Sequence, residues 1–193
     1  MDLLEAYRRG LAEFVDRVDQ IEPGQWSDPT PCADWDVRTL VNHVVTEDRW
    51  SVPLLAGRTI DEVGHRLDGD QLGADPIATA REAAAQAEIA AIHPGTIDRT
   101  VHLSSGETPA TEYLQQLLAE HLIHGWDLAV AIGAQPRLDP DAVRAASRWF
   151  AGQIDDYRRN NLVQAGVRVP DDADEQDHLL AAFGRDPNWA PSA

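Results

Sequence analysis

At 193 residues the chain is long enough for one hydrophobic core and a small appendage. Its 43% hydrophobic and 25% charged residues are ordinary for a soluble globular protein, and no apolar run approaches the roughly 20 residues needed to cross a bilayer. A formal net charge of −17 makes nucleic acid and anionic membrane surfaces poor partners, because phosphate binding needs clustered cations.

The opening stretch MDLLEAYRRG carries acidic residues and amphipathic spacing, so no signal peptide is expected. Leu3, Leu4, Tyr7, Leu11, Phe14, Val15 and Val18 recur with helical period, which predicts a first helix from Asp2 to about Gln20, ended by Pro23-Gly24. The breaker-rich loop to Asp36 holds Trp26, Cys32 and Trp35 and should be packed down. Cys32 is the single cysteine. It excludes an internal disulfide and argues for a reducing compartment, the cytoplasm.

Asp36 caps a second helix that runs to about Ala56, with Trp35 expected to staple onto Leu40. Its inward face reads Leu40, His43, Glu47, Trp50 and Leu54. A polar connection follows to Ala74. Asp75-Pro76 opens an alanine-rich third helix to Ile92. Thr96 to Glu107 reads as an extended excursion, a short hairpin over one end of the bundle. Thr108-Pro109 is expected to cap a long fourth helix that ends at Gly133. Asp139-Pro140 opens a fifth helix of roughly twenty residues, Asn160 to Pro170 is irregular, and Asp172 with Glu175 resembles a capping box for a last short helix to Phe183. The expected architecture is all-α: a four-helix bundle over residues 1–135, with residues 136–193 as a helical extension packed on it.

The fourth helix places Glu120 and His124 four residues apart on one face, a stripe continued by Tyr113, Leu117, Leu128 and Ala131. A carboxylate and an imidazole on such a stripe need a partner, because burying unpaired polar groups is costly. His43, on the facing second helix, completes a His-Glu-His donor set suited to zinc, nickel or ferrous iron. Three protein ligands leave a position open for water or a thiol. The plainer alternative is that Glu120 and His124 hydrogen-bond locally and that His43 is a satisfied core residue. His121 points about 100° away from Glu120 and is excluded. Glu47, one turn after His43, reads as a hydrogen-bond acceptor, a general base or an ordinary salt-bridged acid. Asp127 reads as an orienting acid or a surface acid. Cys32 reads as a small packed hydrophobe, since no base can be assigned to it. No phosphate loop, nucleophile elbow or CxxC pair is present.

Three stretches carry a family resemblance: Trp26 to Trp35 (WSDPTPCADW) leading to Leu40-Val41-Asn42-His43, then Glu120 to Ala129 (EHLIHGWDLA), then Val169 to Ala173 through Leu179-Leu180-Ala181 to Gly184-Arg185-Asp186-Pro187. Together they resemble the mycothiol-dependent maleylpyruvate isomerase family of the DinB-like superfamily. The resemblance implies a four-helix bundle with a divalent metal, usually zinc, held by a His of the second helix and a Glu-x3-His of the fourth, here His43, Glu120 and His124. It also implies a low-molecular-weight thiol such as mycothiol and an electrophilic small-molecule substrate. On the residues' own placement, Glu47 or Asp127 is the candidate proton shuttle. The alternative is a metal-binding or interaction module without turnover, working as a homodimer.

Overall fold

The computed structural model describes residues 1–159, 163 and 165–191. In chain order the helices are α1 (Leu3–Val18), α2 (Val37–Leu55), the single-turn α3 (Ile60–Val63), and α4 (Pro76–Ile92). A hairpin of β1 (Thr100–Leu103) and β2 (Gly106–Pro109) comes next. It leads into α5 (Ala110–Ile132), α6 (Pro140–Phe150), α7 (Ile154–Arg159) and α8 (Glu175–Ala182). The four long helices close a ring: α1 packs on α4 and α5, and α2 packs on the same pair. This is the all-α, DinB-like four-helix bundle.

Local chemistry sets where each helix begins. The carboxylates of Asp2, Asp36 and Asp75 accept from the amides of Glu5, Thr39 and Ala78 at 2.9, 2.8 and 3.1 Å, satisfying donors that have no partner inside the helix. In α4 the buried side is Ala80, Ala83, Ala84, Ala87 and Ala91, small enough for close approach to α1 and α2. α5 is buried around most of its circumference, as befits the most enclosed helix of the bundle, and its buried residues include His121, His124 and Asp127. Its start differs from the expected Thr108-Pro109 cap. Thr108 is committed to the hairpin opposite Val101, and the amide of Ala110 is satisfied by the carbonyl of Arg99 at 2.9 Å instead.

Three further boundaries differ from expectation, each for a local reason. The connection after α2 holds α3, closed by a true capping box in which Thr59 and Glu62 satisfy each other's amides. The expected twenty-residue fifth helix breaks after Phe150 into a turn containing Gly152. The break lets Tyr157 fold back edge-on to Trp149 and Phe150, with centroids 5.7 and 5.5 Å apart. The last helix is capped by Asp174, which accepts from Asp177 N at 2.9 Å, and not by Asp172. Part of the segment expected to be irregular, 160–162 and 164, lies outside the described residues.

The C-terminal helices share a core with the bundle. Phe150 stacks on Phe183 at 4.0 Å, and both join Tyr7, Leu11, Leu118, Leu122 and Leu180 in one buried cluster. Asp139 fixes the entry to α6, accepting from the amides of Asp141 and Ala142 at 2.8 and 2.9 Å while pairing with Arg9 at 3.0 Å. Burial pushes its carboxyl up, but the Ala142 amide, Arg9 and the Asp141 amide outweigh burial and hold it below the ordinary value of 3.8. A carboxyl depressed by folding stabilises only while ionised, so its contribution is present above about pH 4 and lost as the pH falls through the folded-state value. Wild type should exceed Asp139→Ala by about 1 kcal/mol in urea melts at pH 7. The gap should close between pH 4 and pH 2, and a gap that stays constant would contradict the ionised cap.

Candidate metal centre

Successive turns of α5 stack Glu120 and His124 on one face, and α2 brings His43 to meet them. Glu120 Oε2 lies 3.1 Å from His43 Nε2 and 3.0 Å from His124 Nε2. One ligand atom from each residue lies within 4.8 Å of the other two. Bonds of about 2.0–2.2 Å to a tetrahedral cation put donors roughly 3.3–3.5 Å apart, so the set fits a divalent metal after small side-chain adjustments. The cluster is open on one side: the Glu120 and His43 side chains keep 38% and 30% exposure, against 8% for His124. Burial pushes the Glu120 carboxyl up, but hydrogen bonds from His124 and His43 more than reverse this and hold it well below the carboxylate range.

Behind His124 lies a buried polar lock. His124 Nδ1 is 3.0 Å from Asp127 Oδ2, which leaves Nε2 free to act as a donor atom toward Glu120 and His43. Asp127 has no exposed side-chain surface. Arg185, from the turn after α8, donates from Nε to both Asp127 oxygens (3.0 and 3.2 Å) and from Nη2 to Oδ2 at 2.9 Å. Its Nη2 also reaches Cys32 Sγ at 3.0 Å, and Nη1 donates to the Phe183 carbonyl. Burial raises the Asp127 carboxyl, yet the His124 and Arg185 hydrogen bonds and charges hold it below its ordinary value. Burial lowers the His124 ring's pKa, and Asp127, Cys32 and Glu120 together drive it well above normal. Cys32, His124 and Asp127 form a second set of close donors. There the guanidinium already supplies the positive charge, so the His43–Glu120–His124 set is the better seat for a cation.

The loop before α2 is held down, as its residues suggested. Thr30 Oγ1 accepts from Cys32 N at 3.2 Å and donates to the Trp35 carbonyl at 2.9 Å. Trp35 does not serve simply as a staple for Leu40: its ring lies against His43 and His124, with centroids 4.8 and 5.6 Å away. Trp35 thus forms one wall of a cavity of about 610 Å³ over the cluster. The other walls are Cys32, Ala33, Asp34, His43, Ala119, Glu120, Ile123, His124, Tyr157, Val163, Ala165, Phe183 and Arg185.

Glu47 is half-buried on α2 and is not among these lining residues. Burial, then the negative charge of Glu120, pushes its carboxyl up. His121 turns away from the cluster into the core, with Nε2 2.9 Å from Asp48 Oδ1 and Nδ1 2.7 Å from the Leu117 carbonyl. Sequence reasoning missed three relationships. Arg185 carries no local signal, and its partner Asp127 is 58 residues away. Asp48 has the right helical phase to face the core, and its pairing with His121 could have been suspected from that. Cys32 does have a histidine nearby, His124, but at 92 residues' separation and 4.0 Å.

A helical bundle whose facing helices bring two imidazoles and a carboxylate together, with an open cavity above, is a DinB-like bundle with a donor set of metal-ligating type. Residues 7–129 match the model of the mycothiol maleylpyruvate isomerase N-terminal domain, and the chain belongs to that family. Two Mycobacterium tuberculosis proteins, both named as uncharacterized (MT0763 in strain CDC 1551 / Oshkosh, Rv0738 in strain ATCC 25618 / H37Rv), are 32% identical over 159 residues. Each alignment covers 79% of this chain and 81% of the relative. Crystal structures of the mycothiol-dependent maleylpyruvate isomerase and of a histidine-to-alanine mutant share the fold at TM-scores of 0.58 and 0.60. Both show 15% identity and cover 80% of this chain and 70% of theirs. No helix among the described residues is long and apolar enough to cross a membrane.

Proposed function

We propose that this protein is a divalent-metal enzyme that adds a low-molecular-weight thiol, mycothiol or a close analogue, to an electrophilic small molecule and thereby isomerises or conjugates it. The observation that carries this reading is the convergence of His43 Nε2, Glu120 Oε2 and His124 Nε2 on one point at the floor of an open cavity. The names of the family and of the solved isomerases support the thiol and the isomerisation. Zinc suits the two-imidazole, one-carboxylate set best, and when bound it supplies a Lewis acid that lowers the pKa of a thiol.

The protein's own groups do the rest. His43, Glu120 and His124 hold the cation. Asp127, expected from sequence as a proton shuttle, has its oxygens occupied by His124 and Arg185, so we assign it to orienting the His124 ring. Glu47, one turn from His43, does not line the cavity, so we assign it no contact with the reacting atoms. Trp35, Tyr157 and Phe183 wall the cavity and exclude water from the reacting carbons. The thiol sulfur forms a bond to one carbon of an activated alkene, and the alkene's π pair moves toward the adjoining carbonyl. For isomerisation, rotation about the resulting single bond precedes cleavage of the C–S bond, which releases the thiol and the trans alkene. For conjugation, the proton given up by the thiol is returned to carbon and the adduct leaves. Neither route needs an oxidant or reductant.

The test is a matrix of zinc-loaded protein with mycothiol, bacillithiol or glutathione against maleylpyruvate and simple thiol acceptors. Thiol-dependent turnover that disappears in Glu120→Gln is expected. Metal binding with no turnover in any combination would favour a binding module.

A further inference from the structure

Resting on the thiol-addition reading, the cavity walls narrow the kind of electrophile. We propose that the acceptor is an electrically neutral molecule, such as an enone or an ester of an unsaturated acid, and not a dicarboxylate. Anionic substrates are ordinarily held by guanidinium or ammonium groups with donors to spare, and a dianion stripped of water without such partners is strongly disfavoured. Arg185 is the one arginine among the described residues lining the cavity, and its Nε, Nη1 and Nη2 all donate within the protein, to Asp127, Cys32 and the Phe183 carbonyl. Its charge is matched by the fully buried Asp127.

The remaining charges on the wall are negative, Asp34 and Glu120, and Glu47 stands close enough to Glu120 to feel its charge. A divalent cation's two positive charges are met by Glu120 and by the thiol's own negative charge, leaving nothing over for two more carboxylates. No other arginine among the described residues lines this cavity. Arg144 and Arg159 pair with Asp141 and Asp156 on their own helices, while Arg158 and Arg168 line a separate cavity that shares only Ala165 with this one. Beside these polar groups the cavity offers apolar and aromatic surface from Trp35, Ile123, Tyr157, Val163 and Phe183. Such a surface favours an uncharged, conjugated carbon skeleton.

Binding and turnover test this separately. Ligand-observed NMR on the zinc-loaded protein compares dimethyl succinate with succinate, a matched pair unable to alkylate Cys32. We expect the diester to bind at least fivefold more tightly. Equal or tighter binding of the dianion, or no binding of the diester at tens of millimolar, overturns the proposal. Ala33 is exposed on the cavity rim, so Ala33→Arg installs a free cation without touching the core. It should strengthen succinate binding and leave the diester unchanged, and no gain for succinate would contradict the electrostatic cause. With mycothiol present, dimethyl maleate should be consumed at least tenfold more efficiently than maleate after correction for the uncatalysed reaction. Preferential diester binding without thiol-dependent turnover would leave the ligand class standing and remove the thiol chemistry.

Discussion

Replacing Arg185 with methionine should destabilise the protein by about 3–5 kcal/mol, because it strands a buried carboxylate with its countercharge removed. For a chain of this length that is a fall of roughly 6–20 °C in melting temperature. The guanidinium is held by five hydrogen bonds to Asp127, Cys32 and the Phe183 carbonyl, and Asp127 has no exposed surface on which to recover solvation. The double variant Asp127→Asn/Arg185→Met removes both charges together and should regain much of the lost stability, since paired removal leaves no orphaned ion. It should not regain metal affinity. His124 would lose the carboxylate that fixes its ring, and loss of such a partner typically weakens metal binding 10–100-fold. A single variant as stable as wild type would show that the Arg185–Asp127 pair does not carry the load assigned to it. A double variant with undiminished metal affinity would show that Asp127 does not orient His124.

The second large effect concerns the cation itself. Zinc at about a hundred times its dissociation constant stabilises the state that binds it by about 2.7 kcal/mol, or roughly 5–11 °C here. Wild type should show this gain on adding zinc and lose it on adding EDTA. His124→Ala should show no zinc-dependent shift, because two remaining donors cannot hold the ion tightly. His65→Ala is the control: that ring is almost fully exposed and pairs with Asp68, and its variant should keep the full shift. Equal zinc shifts in wild type and His124→Ala would remove His124 from the ligand set.

Much of the architecture could be read from short-range chemistry. Asp36 before an apolar-periodic run, or Asp75 followed by Pro76, announces a helix start through interactions spanning three residues, and the structure places caps at both. The Glu120/His124 pair could be read for the same reason, since four residues along a helix fix relative direction. His43 needed the further step that α2 faces α5. What stayed hidden lies at long range or in competition between local signals. Thr108 had a capping residue's chemistry, but pairing with Val101 claimed its backbone first. The long fifth helix had the right composition until Gly152, where aromatic packing of Tyr157 on Trp149 and Phe150 outweighed helical continuity. Arg185 follows the last helix, 58 residues from its partner Asp127, and nothing local marks that pairing. Only the folded chain shows that this residue closes the back of the site, which makes the C-terminal segment a structural part of the centre.

The most direct measurement is anomalous diffraction at the zinc edge from crystals of the zinc-loaded protein. The account predicts one peak about 2.0–2.2 Å from His43 Nε2, Glu120 Oε2 and His124 Nε2, on the floor of the cavity beneath Trp35. A peak seated instead among Cys32, His124 Nδ1 and Asp127, or no peak between α2 and α5 in metal-replete crystals, would contradict it.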